Sequence, residues 1–328
     1  MSIMASCAIL TCRVSDMNSA LALQPADTTA LVELIAAATV DGRVLELRGG
    51  GSHAAVGRPD RTATPVDMTA FSGIVDHDAP ELVLTAGAAT PLAQVEAQVA
   101  AHGQMLAFEP YAASPHATLG GAIGAAIAGS RRLSAGSARD HLLGFEAVSG
   151  RGERFVAGGR VVKNVTGYDL SKLMAGSWGR LAALTQVTLR LLPRPECTAT
   201  LILHGLDDAA AVAAMGAALR SPAALAAAAH LPAGVVGAEA RTLLRLEGFS
   251  VSVASRLDTL RALLPASGAS SIARDDEGVT LWQPVQGGRL LAHGSALWRI
   301  VLPPAAGAQA SAALAPLSCG HYFDWAGG

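Results

Sequence analysis

The chain of 328 residues is poor in charge, in aromatic rings and in cysteine. Charged residues make up 15% and aromatic residues 4%, while hydrophobic residues reach 51% and mean hydropathy is +0.38. That balance excludes a disordered chain, which combines low hydrophobicity with high net charge. The net charge is only −2, from 24 basic and 26 acidic residues, so no electrostatic footprint for nucleic acid exists. The four cysteines, Cys7, Cys12, Cys197 and Cys319, form no Cys-x-x-Cys pair, and the nine histidines include no His-x-x-x-His pair. The expectation is reduced thiols in a cytoplasmic protein, with no metal held by this chain.

Long uninterrupted apolar runs are also missing. Pro110 to Ser130 has the length of a spanning helix but contains Pro115, His116 and several glycines, and Ser221 to Ala238 is broken by Pro222 and Pro232. Neither supplies the ~20 apolar residues that a membrane span requires. Met1 to Cys12 has no basic stretch before it, so no signal peptide is expected, and Met17 reads as the start of the folded part.

What the chain has in excess is alanine and glycine; the 35 glycines exceed the average usage of ~7%. The length fits about two domains, and Leu192-Pro193-Arg194-Pro195-Glu196 offers the break. Before it, Asp27 caps a helix carrying Leu31, Leu34, Ile35 and Ala38, and Val44 to Leu47 and Leu82 to Thr85 read as strands. Thr90-Pro91 reads as a cap and first helical residue, with Leu92, Val95 and Val99 on one face and Gly103 as the stop. Leu142 to Ser149 and Glu153 to Val156 flank a Gly-Arg-Gly hairpin signal, and Ala183 to Leu192 is a further strand. After the break come strands at Ala199 to His204, Thr242 to Leu246 and Leu297 to Leu302. Helices are expected from Asp207 toward Arg220 and from Val251 to Leu264, with low complexity confined to alanine-rich helices.

Four glycine-bearing segments could carry chemistry. Arg48-Gly49-Gly50-Gly51-Ser52-His53 follows a strand, and successive N–H groups in such a turn make an anion-binding nest. A Rossmann reading of Gly49-x-Gly51-x-x-Ala54 fails, because Gly57, Arg58 and Pro59 arrive before a helix can open. In the second, Thr118 caps a helix opening with Leu119, Gly120 and Gly121 and running through Gly124 and Ala125; bare N–H groups in that first turn would suit a pyrophosphate, and close helix packing is the competing use of the small residues. The third runs from Gly129-Ser130-Arg131-Arg132 to Gly136-Ser137-Ala138-Arg139-Asp140, suited to a phosphate or to a solvated loop. In the fourth, Gly159 to Leu170, Asp169 caps a short helix that Gly176 ends.

In this order the segments resemble the PCMH-type FAD-binding domain of the vanillyl-alcohol oxidase superfamily. More narrowly, the chain is similar to the FAD-binding subunits of bacterial glycolate oxidases. The likeness is carried by the turn from Arg48, Thr85-Ala86-Gly87-Ala88 with Pro91-Leu92, Phe108-Glu109-Pro110 and Ala117-Thr118-Leu119-Gly120-Gly121. It continues through Arg139-Asp140-His141 and, most specifically, Val162-Lys163-Asn164-Val165-Thr166-Gly167-Tyr168-Asp169-Leu170, then Leu297-Trp298-Arg299-Ile300 and the ending Asp324-Trp325-Ala326-Gly327-Gly328.

The resemblance implies an α+β fold: a PCMH-type domain of two α+β subdomains over residues 24–195, after an extension over 1–23, and a smaller α+β domain over 196–328. It implies FAD held by Arg48, Gly49, Gly50, Gly51, Ser52, His53, Pro110, Thr118, Leu119, Gly120, Gly121, Gly124, Ala125, Gly129, Arg139, Asp140, Lys163, Asn164 and Gly167. Ser52 separates His53 from the glycines, so the expected FAD is non-covalent. Ala182 stands where the family's Gly-x-Leu-Gly turn ends in glycine, and the chain stops at Gly328, short of the family's C-terminal segment. The implied activity is oxidation of glycolate or another small 2-hydroxy acid, with a second flavin subunit and an iron–sulfur subunit as partners. The implied place is the cytoplasm, with the inner membrane face reached only through those partners. A non-catalytic assembly subunit and a stand-alone FAD-linked dehydrogenase are the alternatives. Arg299 and His321 are the candidates that the second domain offers for a carboxylate-binding cation and a base, and no catalytic residue is assigned.

Overall fold

The computed structural model describes residues 7–10, 22–54, 56–57, 62–111, 114–159, 168–264, 269–291, 297–317 and 319–328. The chain divides into two compact units. One contains residues 22–128 and 136–194, and the other contains residues 129–135 and 195–328 with the strand Cys7–Leu10.

The first unit opens with helix Thr28–Val40, whose end is fixed by the Asp27 side chain accepting from the Ala30 N–H at 2.9 Å. Leu31, Ile35 and Ala38 are buried, as their 3–4-residue spacing requires. Strands Leu45–Arg48 and Thr64–Asp67 pair in parallel, and Leu23 extends the ladder through a bridge to Val66. An antiparallel sheet follows, in the order Ile74–Asp78, Val83–Gly87, Ala182–Arg190, Leu142–Ser149, Arg154–Gly158. Leu84, Val187, Leu189 and Phe145 from this sheet share a core with Leu92, Val95 and Val99 of helix Leu92–Ala100 and with Leu119 and Ile123. Ala182 opens its strand inside that core, so its methyl group meets apolar neighbours.

One expected cap is corrected. Pro91 occupies the cap position of helix Leu92–Ala100 with no side-chain bond. Thr90 instead closes the turn before it: its buried hydroxyl donates to the Gly87 carbonyl at 2.7 Å and accepts from the Gly73 N–H at 2.9 Å.

The second unit is a four-stranded antiparallel sheet in the order Ala227–Leu231, Arg241–Gly248, Cys197–His204, Ser270–Arg274. Helices Asp208–Leu219 and Ser250–Leu263 cover one face through Met215, Ala218, Val253, Leu257 and Leu260, packed on Leu244 and Leu246. Leu243 turns to the opposite face and meets Trp282 and Val285 of helix Asp275–Gln286. Successive side chains of a strand point to opposite faces, so covering both faces buries every position. That is why Ala227–Leu231, in an alanine-rich run to which the sequence assigned no element, is a fully buried strand.

The central strand Ala182–Arg190 sets the expected mutational contrast. Leu189→Ala, at a fully buried site, should cost about 2–5 kcal/mol in urea unfolding. Val156→Ala on the exposed edge strand should stay within about 0.5 kcal/mol. Equal losses would contradict the assigned core.

Candidate functional site

Strand Leu45–Arg48 runs directly into Gly49-Gly50-Gly51-Ser52-His53. The Arg48 carbonyl still accepts from the Met68 N–H at 2.8 Å, closing the ladder. Beyond it, the N–H groups of Gly49, Gly50, Gly51, Ser52 and His53 have no acceptor among the described residues. Consecutive unmatched donors in a glycine turn are the raw material of an anion-binding nest.

Packing explains two of the three glycines. A Cβ on Gly50 would lie 1.5 Å from the His116 carbonyl oxygen, and one on Gly49 would lie 2.5 Å from the Thr118 hydroxyl. These glycines let the turn press against the strap His116–Thr118. Gly51 differs: its φ is +69° and a Cβ there would meet nothing within 4 Å. Its side faces open space.

The strap leads into helix Leu119–Ala125. Thr118 caps it as expected, its hydroxyl accepting from the Gly121 N–H at 3.3 Å. The expectation of bare donors in the first turn is corrected. The Leu119 N–H donates to the Thr90 carbonyl at 2.9 Å and the Gly120 N–H to the Ala88 carbonyl at 2.6 Å. Gly120 is glycine for packing, since a Cβ would sit 2.8 Å from Ala88. Gly124 keeps open space around its Cα, and its carbonyl accepts from the Trp178 N–H at 3.0 Å. That last bond places Trp178 beside the glycine turn.

His53 is the polar side chain at that junction. Its ring sits 6.0 Å from Trp178, edge to face, and 6.1 Å from Tyr111. Nδ1 lies 3.0 Å from the Ser52 hydroxyl, whereas Nε2 is buried without a hydrogen-bond partner. Burial holds the His53 pKa below its ordinary value, so the ring is neutral near pH 7. A buried, unmatched polar atom beside a row of unmatched N–H groups is the mark of a ligand site.

The remaining expected residues are distributed differently. The Arg48 guanidinium is held by Glu46 in a two-point pair at 2.8 and 3.1 Å, which raises its pKa. Pro110 bridges Ala128, and Ala125 closes the glycine helix before Ala126 turns left-handed. Arg139 is exposed; Asp140 accepts from the Ser137 N–H at 2.8 Å and its hydroxyl at 3.0 Å, a local capping box that lowers its pKa. Gly129 belongs to the second unit, where its carbonyl accepts from the Trp325 indole at 2.9 Å. Arg299 of the same unit stacks on Trp325 at 3.9 Å, and His321 contacts Asp208 at 3.0 Å. Lys163, Asn164 and Gly167 lie outside the described residues. Trp178 and Tyr111 were not anticipated; no spacing in the sequence links them to His53.

The FAD binding domain family matches residues 19–158. These residues are similar to an FAD binding domain. Over 172 residues the chain is 43% identical to the glycolate oxidase subunit GlcE of Escherichia coli (strain K12), covering 52% of this chain and 49% of that protein. It is 35% identical over 148 residues to a D-lactate dehydrogenase of Archaeoglobus fulgidus, covering 45% and 33%. Glycolate oxidase subunit GlcD of Bacillus subtilis is 41% identical over 95 residues, covering 29% and 20%. The chain thus spans half or less of the length of these relatives. Alkyldihydroxyacetonephosphate synthase shares the fold, with a TM-score of 0.60 at 17% identity over 76% of this chain and 50% of that one.

The residues present would fit an FAD on three counts: five N–H donors unmatched among the described residues, open space at Gly51 and Gly124, and the unpartnered His53 Nε2. The donors suit a pyrophosphate, and Arg48, committed to Glu46, adds no free guanidinium to them.

Two outcomes test this geometry. Gly50→Ala forces the His116 backbone to move and should unfold the first unit or lower its melting temperature sharply. Gly51→Ala meets no atom and should cost about 1 kcal/mol from the left-handed backbone alone. For His53, the unfolded state binds the proton more readily than the folded one, so stability should fall as pH drops below about 6.5. His53→Gln should flatten that fall in urea unfolding measured across pH 5–8; an unchanged slope would contradict the buried neutral ring.

Proposed function

We propose that this chain is the FAD-binding subunit of a complex that oxidises a small 2-hydroxy acid, glycolate to glyoxylate. Electrons would pass through a second flavin subunit to an iron–sulfur subunit. The 43% identity to a glycolate oxidase subunit supports the reading most directly, and the glycine turn supplies its physical side. Among the described residues no helix is long and apolar enough to cross a membrane, which fits membrane contact made through partners.

In this reading the N–H groups of Gly49 to His53 hold the cofactor's pyrophosphate, and the absent side chain of Gly51 lets it approach. Ser52 orients the His53 ring through Nδ1, leaving Nε2 to bond a polar group of the cofactor. Trp178 and Tyr111 flank that ring and exclude water from it. When bound, FAD accepts the two electrons and hydrogen removed from the substrate carbon. The attachment is non-covalent, because Nδ1 is engaged by Ser52 and the turn places no histidine next to its glycines.

A non-catalytic assembly subunit is the second reading. It is favoured by the first-turn donors of helix Leu119–Ala125, which are satisfied within the chain and give the cofactor fewer contacts than that sequence pattern promises.

The purified chain should show oxidised-flavin absorption, and acid precipitation should release the flavin. Glycolate should bleach it only after the partner flavin subunit is added. A colourless chain that cannot be reconstituted with FAD would overturn the proposal and leave the assembly reading. Gly51→Asp keeps a left-handed conformation that Asp tolerates and sets a carboxylate against the N–H row. It should weaken FAD binding at least tenfold, about 1.4 kcal/mol, in a folded protein.

A further inference from the structure

The second unit brings together a serine, a histidine and a carboxylate that the flavin reading does not use. His204 ends the strand Cys197–His204, which lies between Arg241–Gly248 on one side and Ser270–Arg274 on the other. Glu239 comes from the segment just before the first of these neighbours, and Ser271 sits on the second. The imidazole is held between them. Its Nε2 lies 2.8 Å from the Ser271 hydroxyl, and its Nδ1 lies 3.3 Å from a Glu239 carboxylate oxygen. Register explains the first contact: Ser271 pairs with Ile202, so its side chain leaves the same face of the sheet as His204, diagonally across the ladder.

The order of the contacts fixes the proton. A carboxylate only accepts, so the nitrogen facing Glu239, Nδ1, carries the hydrogen and Nε2 keeps its lone pair. The Ser271 hydroxyl then donates to Nε2, which is the arrangement of a nucleophile, its base and the group that orients the base. Ser271 is exposed, whereas the His204 side chain is only 20% exposed. The nucleophile is open to a reagent while its base is held. A backbone donor stands beside it. The His204 N–H donates to the Ala269 carbonyl at 3.0 Å. Hydrogen-bonded and non-bonded pairs alternate along an antiparallel ladder. Ser271 therefore bonds to Ile202, and the next residue, Ile272, turns its N–H out to the open edge of the sheet.

We propose that Ser271 is the nucleophile of an acyl-transfer site that cleaves small neutral carboxylic esters, with His204 as its base and Glu239 as the positioning residue. Ser271 Oγ forms a bond to the ester carbonyl carbon, and its proton passes to His204 Nε2. The bond from that carbon to the alkoxy oxygen then breaks, and His204 gives the proton to the leaving alkoxide. Water, deprotonated by the same nitrogen, attacks the acyl-serine, releasing the carboxylic acid and restoring the hydroxyl. No oxidation or reduction is involved, so the site needs no flavin and is independent of the turn from Gly49. The charge of Glu239 disfavours an anionic acyl group, which makes a neutral acetate ester the fitting probe.

The test exposes the full chain to diisopropyl fluorophosphate and, separately, to p-nitrophenyl acetate. The expected results are one phosphoryl adduct, mapped to Ser271 by peptide mass spectrometry, and release of p-nitrophenol that prior treatment with the fluorophosphate blocks. Ser271→Ala changes an exposed side chain; it should abolish the adduct and lower ester turnover by about tenfold or more. His204→Gln should do the same with the hydroxyl still present. Glu239→Ala should lower the rate by a smaller factor. It should also move the ring-nitrogen NMR signals of His204 from the Nδ1–H toward the Nε2–H tautomer, a change that a merely structural glutamate would not produce. An unlabelled Ser271 in the unaltered chain, or ester turnover equal in Ser271→Ala and the unaltered chain, would overturn the proposal.

Discussion

The first unit depends on one close approach, that of the turn Gly49-Gly50 to the strap His116–Thr118. At Gly50 the gap is too small for a single methyl group, and at Gly49 it is nearly so. This contact fixes where the parallel strands end relative to the helix that Thr118 caps. With the strap in place, the Leu119 and Gly120 N–H groups turn inward to Thr90 and Ala88. The helix start becomes part of the frame, and the turn is left carrying the unmatched donors. Trp178, drawn in by the Gly124 carbonyl, then closes over His53. Two packing glycines and one glycine that faces open space thus share one short turn.

Much of this frame was legible in the sequence. Asp27, Asp169 and Asp207 cap the helices expected of them, because a short acceptor before an apolar stripe answers a local need. The Gly-Arg-Gly hairpin and the glycine turn were equally local. The elements that escaped notice depend on distant partners. The alanines of Ala227–Leu231 carry no periodicity of their own and form a strand because helices cover both faces of its sheet. Helix Asp275–Gln286 holds Pro284 near its end, which hides it from propensity.

The site shows the same division. The sequence identified the residue types for anion binding but could not say which N–H groups remain unmatched, since that turns on the distant carbonyls of Ala88 and Thr90. Nor could it show that Arg48 is spent on Glu46, or that Gly129 belongs with Trp325 to the second unit. Charge and glycine content mark a site's neighbourhood; hydrogen-bond competition decides its members.

The central claim is that the turn, rather than the helix start, supplies the donors for FAD. Titrating FAD into the apoprotein while following backbone amide signals by NMR tests it directly. The amides of Gly49 through His53 should shift strongly, and those of Leu119 and Gly120, already bonded within the chain, should stay nearly still. Large shifts at Leu119 and Gly120 with a silent glycine turn would contradict the account.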